Sequence, residues 1–376
     1  MLPSFYIENF RLFDTLSINR LSRVNLIVGR NNAGKSAFLE AVLLYTANAS
    51  LEVIYNLIES RQENYDSEFQ NNTNNLLSLN PVRHFFKDHK IPNLTDSGFT
   101  LATRKNDAYL NIRTAAFIIE ESVDKRIRRK IDLKELENFN PDYFDPDIEI
   151  FVVSEQEDNT QLLFSQNRDF RDAYREYRYI FSNQRSQSKY GVIQFVSTQG
   201  LTDIKAAQLW DAINLNDIEK DVINSLKLVE KNIVGLAFVE GDRPRDRIPV
   251  VKLENQEERI PLKSLGDGVT RVFHIILSLV NAKGGVLLID EFENGLHWAL
   301  QQSVWEIVFQ LAETLDVQVF CTTHSRDCID GFGKTWKKYP QYGSFFRLFA
   351  RNKTVFAQEY DIETLSDSLD TDVEVR

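Results

Sequence analysis

The chain has 376 residues, of which 43% are hydrophobic and 11% aromatic, and its 55 acidic against 44 basic side chains leave a net charge of −11. That length is enough for two or three domains around a large buried core. The acidic balance excludes a whole-surface nucleic-acid binder, because such affinity comes largely from neutralised phosphates. The longest apolar stretch, VFHIILSLV, is short and carries His274 and Ser278, whereas a membrane-spanning helix needs about 20 apolar residues. The N-terminus has no basic segment followed by an apolar one, which predicts no secretory signal. Cys321 and Cys328 offer neither a disulfide framework nor a zinc spacing, so a cytoplasmic, folded protein is expected.

The first 45 residues read strand, strand, loop, helix. SFYIENFRLF has strand character, RVNLIVG is a continuous apolar run suited to a buried strand, and SAFLEAVLLY has helical spacing. From about 60 to 98 the text is polar, with QNNTNN at its centre, and reads as a loop or a poorly packed insertion. Strand-like segments follow at GFTLATR, AYLNIRTAAFIIEE and DIEIFVVSE. The patterns predict helices over about 168–181 and 217–234, the second with Ile218, Val222, Leu226, Val229 and Ile233 on one face. After the strand-like GLAFVE and IPVVKL comes the densest block, 262–330, with a helix expected over about 298–315. The acidic end, DIETLSDSLDTDVEVR, reads as a solvated tail.

Gly29 to Ser36 (Gly29, Arg30, Asn31, Asn32, Ala33, Gly34, Lys35, Ser36) fits G-x-x-x-x-G-K-[ST] between a strand and a helix. Its backbone N–H groups can wrap phosphates, Lys35 can meet the β- and γ-phosphates, and Ser36 can offer a hydroxyl to Mg²⁺. GVLLIDE delivers Asp290 and Glu291 at the end of an apolar strand, where open α/β sheets bind ligands. Asp290 suits Mg²⁺, and Glu291 suits a general base acting on water. His324 in TTHS ends the next apolar strand and suits a γ-phosphate sensor. SLGDG, holding Ser264, Gly266 and Gly268, reads either as a plain helix start or as a second anion-binding helix end. In the 168–181 helix, Arg168, Arg171, Arg175 and Arg178 form one ridge beside an aromatic one. Two readings stay open there: a docked helix with solvated charges, or a contact with DNA or RNA phosphate or an acidic partner.

Taken in order, the phosphate loop, SLGDG, LLIDE, ENGLH and TTHS resemble the ATP-binding-cassette ATPases, and more closely the OLD-family (overcoming lysogenization defect) and related AAA-type ATPases of bacterial defence and repair. The resemblance covers about the first 50 residues and 195–330. It implies an α/β P-loop NTPase with an ABC-type core, a mixed sheet flanked by helices, split over 1–50 and 195–350. An insertion over 51–194 would complete the first lobe, and 351–376 would be an extension. It implies ATP and Mg²⁺ as ligands and a head-to-tail homodimer in which Ser264, Gly266 and Gly268 of one copy close over ATP on the other. ENGLH would touch the opposite site through Asn294 and His297, although Trp298 stands where the family has Pro. Gln199 matches the Mg²⁺-linked glutamine of these folds, with Gln156 as a competitor. A nuclease domain would need more chain than the fifty residues after TTHS, so the expected effector is a separate protein such as a nuclease, and the expected role is antiviral defence. The alternatives are an ATP-clamped scaffold with little turnover and a DNA repair or recombination ATPase.

Overall fold

The computed structural model describes residues 1–63, 80–105, 107, 109–122, 125–136, 148–156, 159–165, 168, 170–181, 188–213, 217–241, 247–371 and 375. The chain opens with the hairpin β1 (Phe5–Phe10) and β2 (Phe13–Ile18); Asn9 near the end of β1 and Arg11 in the turn both stand at positive φ. β3 (Val24–Val28) runs into α1 (Lys35–Thr46), and α2 (Leu51–Ser60) follows. The middle of the chain holds β4 (Phe99–Ala102), β5 (Tyr109–Ser122), β6 (Lys125–Lys130), the short α3 (Leu133–Leu136), β7 (Ile148–Gln156), β8 (Asn159–Ser165) and α4 (Phe170–Phe181). Next come β9 (Ile193–Val196), α5 (Asp203–Ile213), α6 (Asp217–Lys227), β10 (Ile233–Glu240), β11 (Arg247–Leu253) and β12 (Arg259–Pro261). The last part alternates α7 (Asp267–Asn281), β13 (Val286–Ile289), α8 (Trp298–Thr314), β14 (Gln318–Thr323) and α9 (Arg326–Lys338), then closes with β15 (Gly343–Arg351), β16 (Thr354–Tyr360) and α10 (Ile362–Asp370).

The central sheet has the order β16-β15-β3-β14-β13-β9, with β16 antiparallel to β15 and the other pairings parallel. Its inner strands are apolar without alternation because both faces are covered. Val24, Leu26, Val28, Leu287, Ile289, Val319 and Cys321 join the core built with α5 to α9. Ile27, Val286, Leu288 and Phe320 join the core on the other face, with α1, α2 and the second sheet. That second sheet is antiparallel, ordered β2-β1-β4-β5-β7-β8 with β6 on β5, so the N-terminal hairpin and the middle of the chain build one layer. Every residue of α1 except Ser36 is buried. The expected α/β architecture, a mixed sheet flanked by helices, is therefore observed.

Several expectations are corrected. The 217–234 helix stops at Lys227, and Ile233 is instead the first residue of β10, paired with Leu253. Ile233 fits a helical face, but it also begins an alternating run that pairs in a hairpin. The polar 60–98 stretch is not loosely packed where it is described: Val82, Phe85 and Phe86 are fully buried. QNNTNN lies outside the described residues. The acidic end is not a solvated tail. Asp361 caps α10 by accepting from the Thr364 N–H (2.7 Å), and Leu365 is buried against α9. Ile362, Leu365 and Leu369 form an apolar stripe that the surrounding carboxylates conceal in the text. A boundary at 350 would cut the β15–β16 hairpin, so the sheet continues through residue 360.

One histidine in α7 has a stability consequence. The buried His274 Nδ1 accepts a hydrogen bond from the Leu201 N–H (3.1 Å). Burial, with the neighbouring Arg271 charge, lowers its pKa from 6.5 to about 4. Between those values the unfolded chain binds the extra proton, so stability is full above pH 6.5 and falls as the pH drops towards 4, by about 3 kcal/mol in all. His274→Gln keeps an acceptor without the titration. Urea midpoints at pH 7 and 4.5 should show the wild type losing more stability than this variant; equal losses refute the assignment.

Candidate active site

The loop after β3 turns into α1 through Gly34, which holds φ 97 as the N-cap residue. A Cβ there would lie 2.9 Å from the Phe13 ring, so both conformation and space call for glycine. No side chain caps α1, which leaves its first N–H groups open to an anion. Arg30, Asn31 and Asn32 are exposed on the rim and Ala33 is buried beneath them. The Lys35 ammonium donates to Gly29 O (2.8 Å) and Arg30 O (3.2 Å), folded along the loop it would leave to meet a phosphate. Burial lowers its pKa, while the carboxylates of Asp290, Glu291 and Glu293 pull the other way.

Strand register brings the rest to this loop. Ile289 pairs with Cys321 on one side and Val196 on the other, so Asp290 emerges between Thr322 and Ser197. The Asp290 carboxylate accepts from Ser36 Oγ (2.9 Å) and from Thr322 Oγ1 (2.6 Å), and more distantly from Thr198 Oγ1 (3.4 Å). Ser36 and Asp290 together present hard oxygen donors that could hold Mg²⁺. Among the described residues no group of three or more His, Cys, Asp or Glu could hold a metal. A Mg²⁺ shell completed by water and phosphates needs none.

Glu291 stands at φ 50, in the left-handed region that non-glycine residues rarely occupy. Its N–H donates to Thr322 Oγ1 (2.9 Å), and its C=O accepts from the Arg271 guanidinium (2.8 Å). The carboxylate, partly exposed, lies 3.7 Å from His324 Nδ1. Glu293 anchors the histidine loop: its Oε1 accepts from the N–H groups of His324 (2.9 Å) and Ser325 (3.1 Å) and lies 3.2 Å from His324 Nδ1. Glu293 therefore lies on the Nδ1 side of the His324 ring. Thr322, Glu293 and Arg271 were not singled out from the sequence. Thr322 and Glu293 sit within the quoted motifs, whereas nothing in the text marks Arg271.

The remaining predicted residues divide. Gln199 is exposed in the turn after β9, next in sequence to Thr198, while Gln156 ends β7 of the antiparallel sheet. Asn294 donates to Thr198 O (2.6 Å), and His297 caps its own helix α8, its Nδ1 accepting from the Ala299 N–H. Trp298 begins α8 and is 66% exposed. Ser264 is exposed in a short 3-10 turn, Gly266 is the N-cap of α7 and no side chain caps that helix either. Gly268 lies so close to Gly295 that a Cβ would sit 3.0 Å from the Gly295 carbonyl oxygen.

The arginine ridge is tied up locally where it is described. Arg168 pairs with Glu176 and Arg175 with Asp172 (3.5 Å), while Phe170 and Tyr174 pack on Tyr55 of α2. The side chains of Arg171 and Arg178 lie outside the described residues. These contacts match the docked-helix reading.

Residues 1–329 match the family model described as AAA ATPase domain. A Helicobacter pylori protein named ATP/GTP phosphatase is 24% identical over 364 residues, spanning 88% of this chain and 87% of that one. An uncharacterized protein of Methanocaldococcus jannaschii is 42% identical over 45 residues, 12% of this chain and 20% of that protein. Among solved structures, the SMC head domain from Thermotoga maritima aligns over 96% of this chain and 99% of that one at 11% identity and a TM-score of 0.44. No helix among the described residues is long and apolar enough to cross a membrane.

Lys35→Ala removes charge-assisted contacts worth about 1.5–3 kcal/mol each. It should weaken ATP binding tenfold or more by calorimetry with Mg²⁺ present; unchanged affinity would sink the loop's assignment.

Proposed function

The chain belongs to the AAA ATPase domain family, and on that premise we propose a cytoplasmic, Mg²⁺-dependent ATPase whose sites are shared between two head-to-tail copies and whose closure gates a separate effector protein. The observation that carries the catalytic part is the Ser36–Asp290 hydrogen bond, which joins phosphate loop and strand-end carboxylate across 254 residues of sequence.

In this reading the loop N–H groups and Lys35 bind the phosphates. Ser36 and Asp290 hold Mg²⁺, which when bound neutralises phosphate charge. Glu291 takes the proton of the attacking water. His324, oriented by Glu293, meets a γ-phosphate oxygen. Gln199 lies at the turn from which it would reach the metal's water shell. The Helicobacter pylori relative's name makes GTP a substrate to compare with ATP.

The shared site is supported by the open, exposed N-terminus of α7. Ser264 and Gly266 are exposed and no side chain caps α7, so this helix start suits an anion presented by a second copy, such as its ATP. Asn294 and the neighbouring His297 and Trp298 would lie along the same face. What supports effector gating and antiviral defence is the motif series, which resembles the OLD family.

Glu291→Gln should bind ATP, cleave it only at a small residual rate measurable in single turnover, and accumulate as a dimer in light scattering. The site's division is tested by mixing Lys35→Ala with Ser264→Arg subunits. Ser264 is the better position because a side chain at Gly268 would disturb Gly295 within the same copy. One site of the mixed dimer then carries both defects and the other neither, so part of the hydrolysis should return. No return in proven mixed dimers, or full activity in a monomer, defeats the shared site.

A further inference from the structure

Arg271 lies one turn inside α7, among Val269, Val272 and Phe273 of the core, and is only 5% exposed. Holding a guanidinium there carries a desolvation cost. Three carbonyls offset that cost. Nη1 donates to Ser197 O (2.6 Å), and Nη2 donates to Asp290 O (2.7 Å) and Glu291 O (2.8 Å). The guanidinium fork therefore fastens α7 to the residues just beyond β9 and β13. Among the described residues its Nε is buried without a partner.

The residue most affected is Glu291. Its left-handed backbone persists because its N–H is tied to Thr322 and its C=O to Arg271. Released from either tie, the peptide can relax and swing the carboxylate. We infer that Arg271 is a positioning residue for the general base, setting where the Glu291 carboxylate stands according to how α7 is seated. The inference rests on the reading of Glu291 as the base. It adds a path by which a ligand at the exposed end of α7 is felt at the chain's own strand-end carboxylate, one helical turn away.

Arg271→Lys keeps the charge but loses the fork. Its kcat should fall tenfold or more, since small misplacements of a reacting group are costly, while the KM for ATP and the ATP affinity stay within about twofold. In a Glu291→Gln background, single-turnover hydrolysis should fall less than about twofold further, because no base remains to be placed. Equal losses in both backgrounds, or ATP affinity falling in step with kcat, would make Arg271 a structural staple and overturn the inference, as would a wild-type kcat. Wild-type turnover by Glu291→Gln alone would instead defeat the base reading, and this inference with it. Should the lysine variant fail to fold, Arg271→Gln, which leaves no buried charge, is judged by the same pattern.

Discussion

The site depends on one carboxylate leaving one strand at one register. Asp290 emerges where β13 ends between β9 and β14, and its two oxygens gather hydroxyls from three other segments: Ser36, Thr322 and Thr198. A slip of one residue would turn Asp290 towards the opposite face and put an apolar side chain in its place. The register is secured by burial on both faces. Leu287 and Ile289 fill one core and Val286 and Leu288 the other, so no shifted pairing keeps both filled.

Around that point the backbone is over-determined. Thr322 accepts from the Glu291 N–H and donates to Asp290, so a single hydroxyl sets both acidic residues. Glu293 fixes the following strand's loop through two N–H groups, and Arg271 collects three carbonyls. Such networks rigidify when every member is satisfied. Among the described residues two members are not, since Glu293 Oε2 and Arg271 Nε are buried without partners. Both belong to residues that connect loops.

Much of this was legible in the sequence, for a local reason. A phosphate loop, a carboxylate pair and a histidine each sit at the end of an apolar strand, and a strand followed by its functional residue is a short, continuous pattern. The sheet order that brings those ends together is not written locally, which is why Gln156 could compete with Gln199 in the text, although one ends a strand of the antiparallel sheet and the other follows β9 of the central sheet. Arg271 was invisible because a lone arginine in an apolar helix reads as a solvated edge, and its partners are carbonyls, which every residue has. The C-terminal helix was missed because its three apolar residues are outnumbered by carboxylates. Ile233 was misplaced because its spacing served a helix and a strand alike.

The position of β3 in the central sheet bears on how the protein is made. Its neighbours are β14 and β15, and the Asn25 side chain bonds to Val319 O across 294 residues of sequence. The strand that carries the phosphate loop is thus synthesised well before the strands that flank it. At 5–20 residues per second the interval is roughly 15–60 s, during which a strand apolar on both faces and a helix destined for full burial have no sheet to join. A nascent chain of this kind holds its nucleotide cradle unassembled until late, so nucleotide can neither be captured nor spent by an unfinished copy. The same delay makes the N-terminal segment a natural client for chaperones.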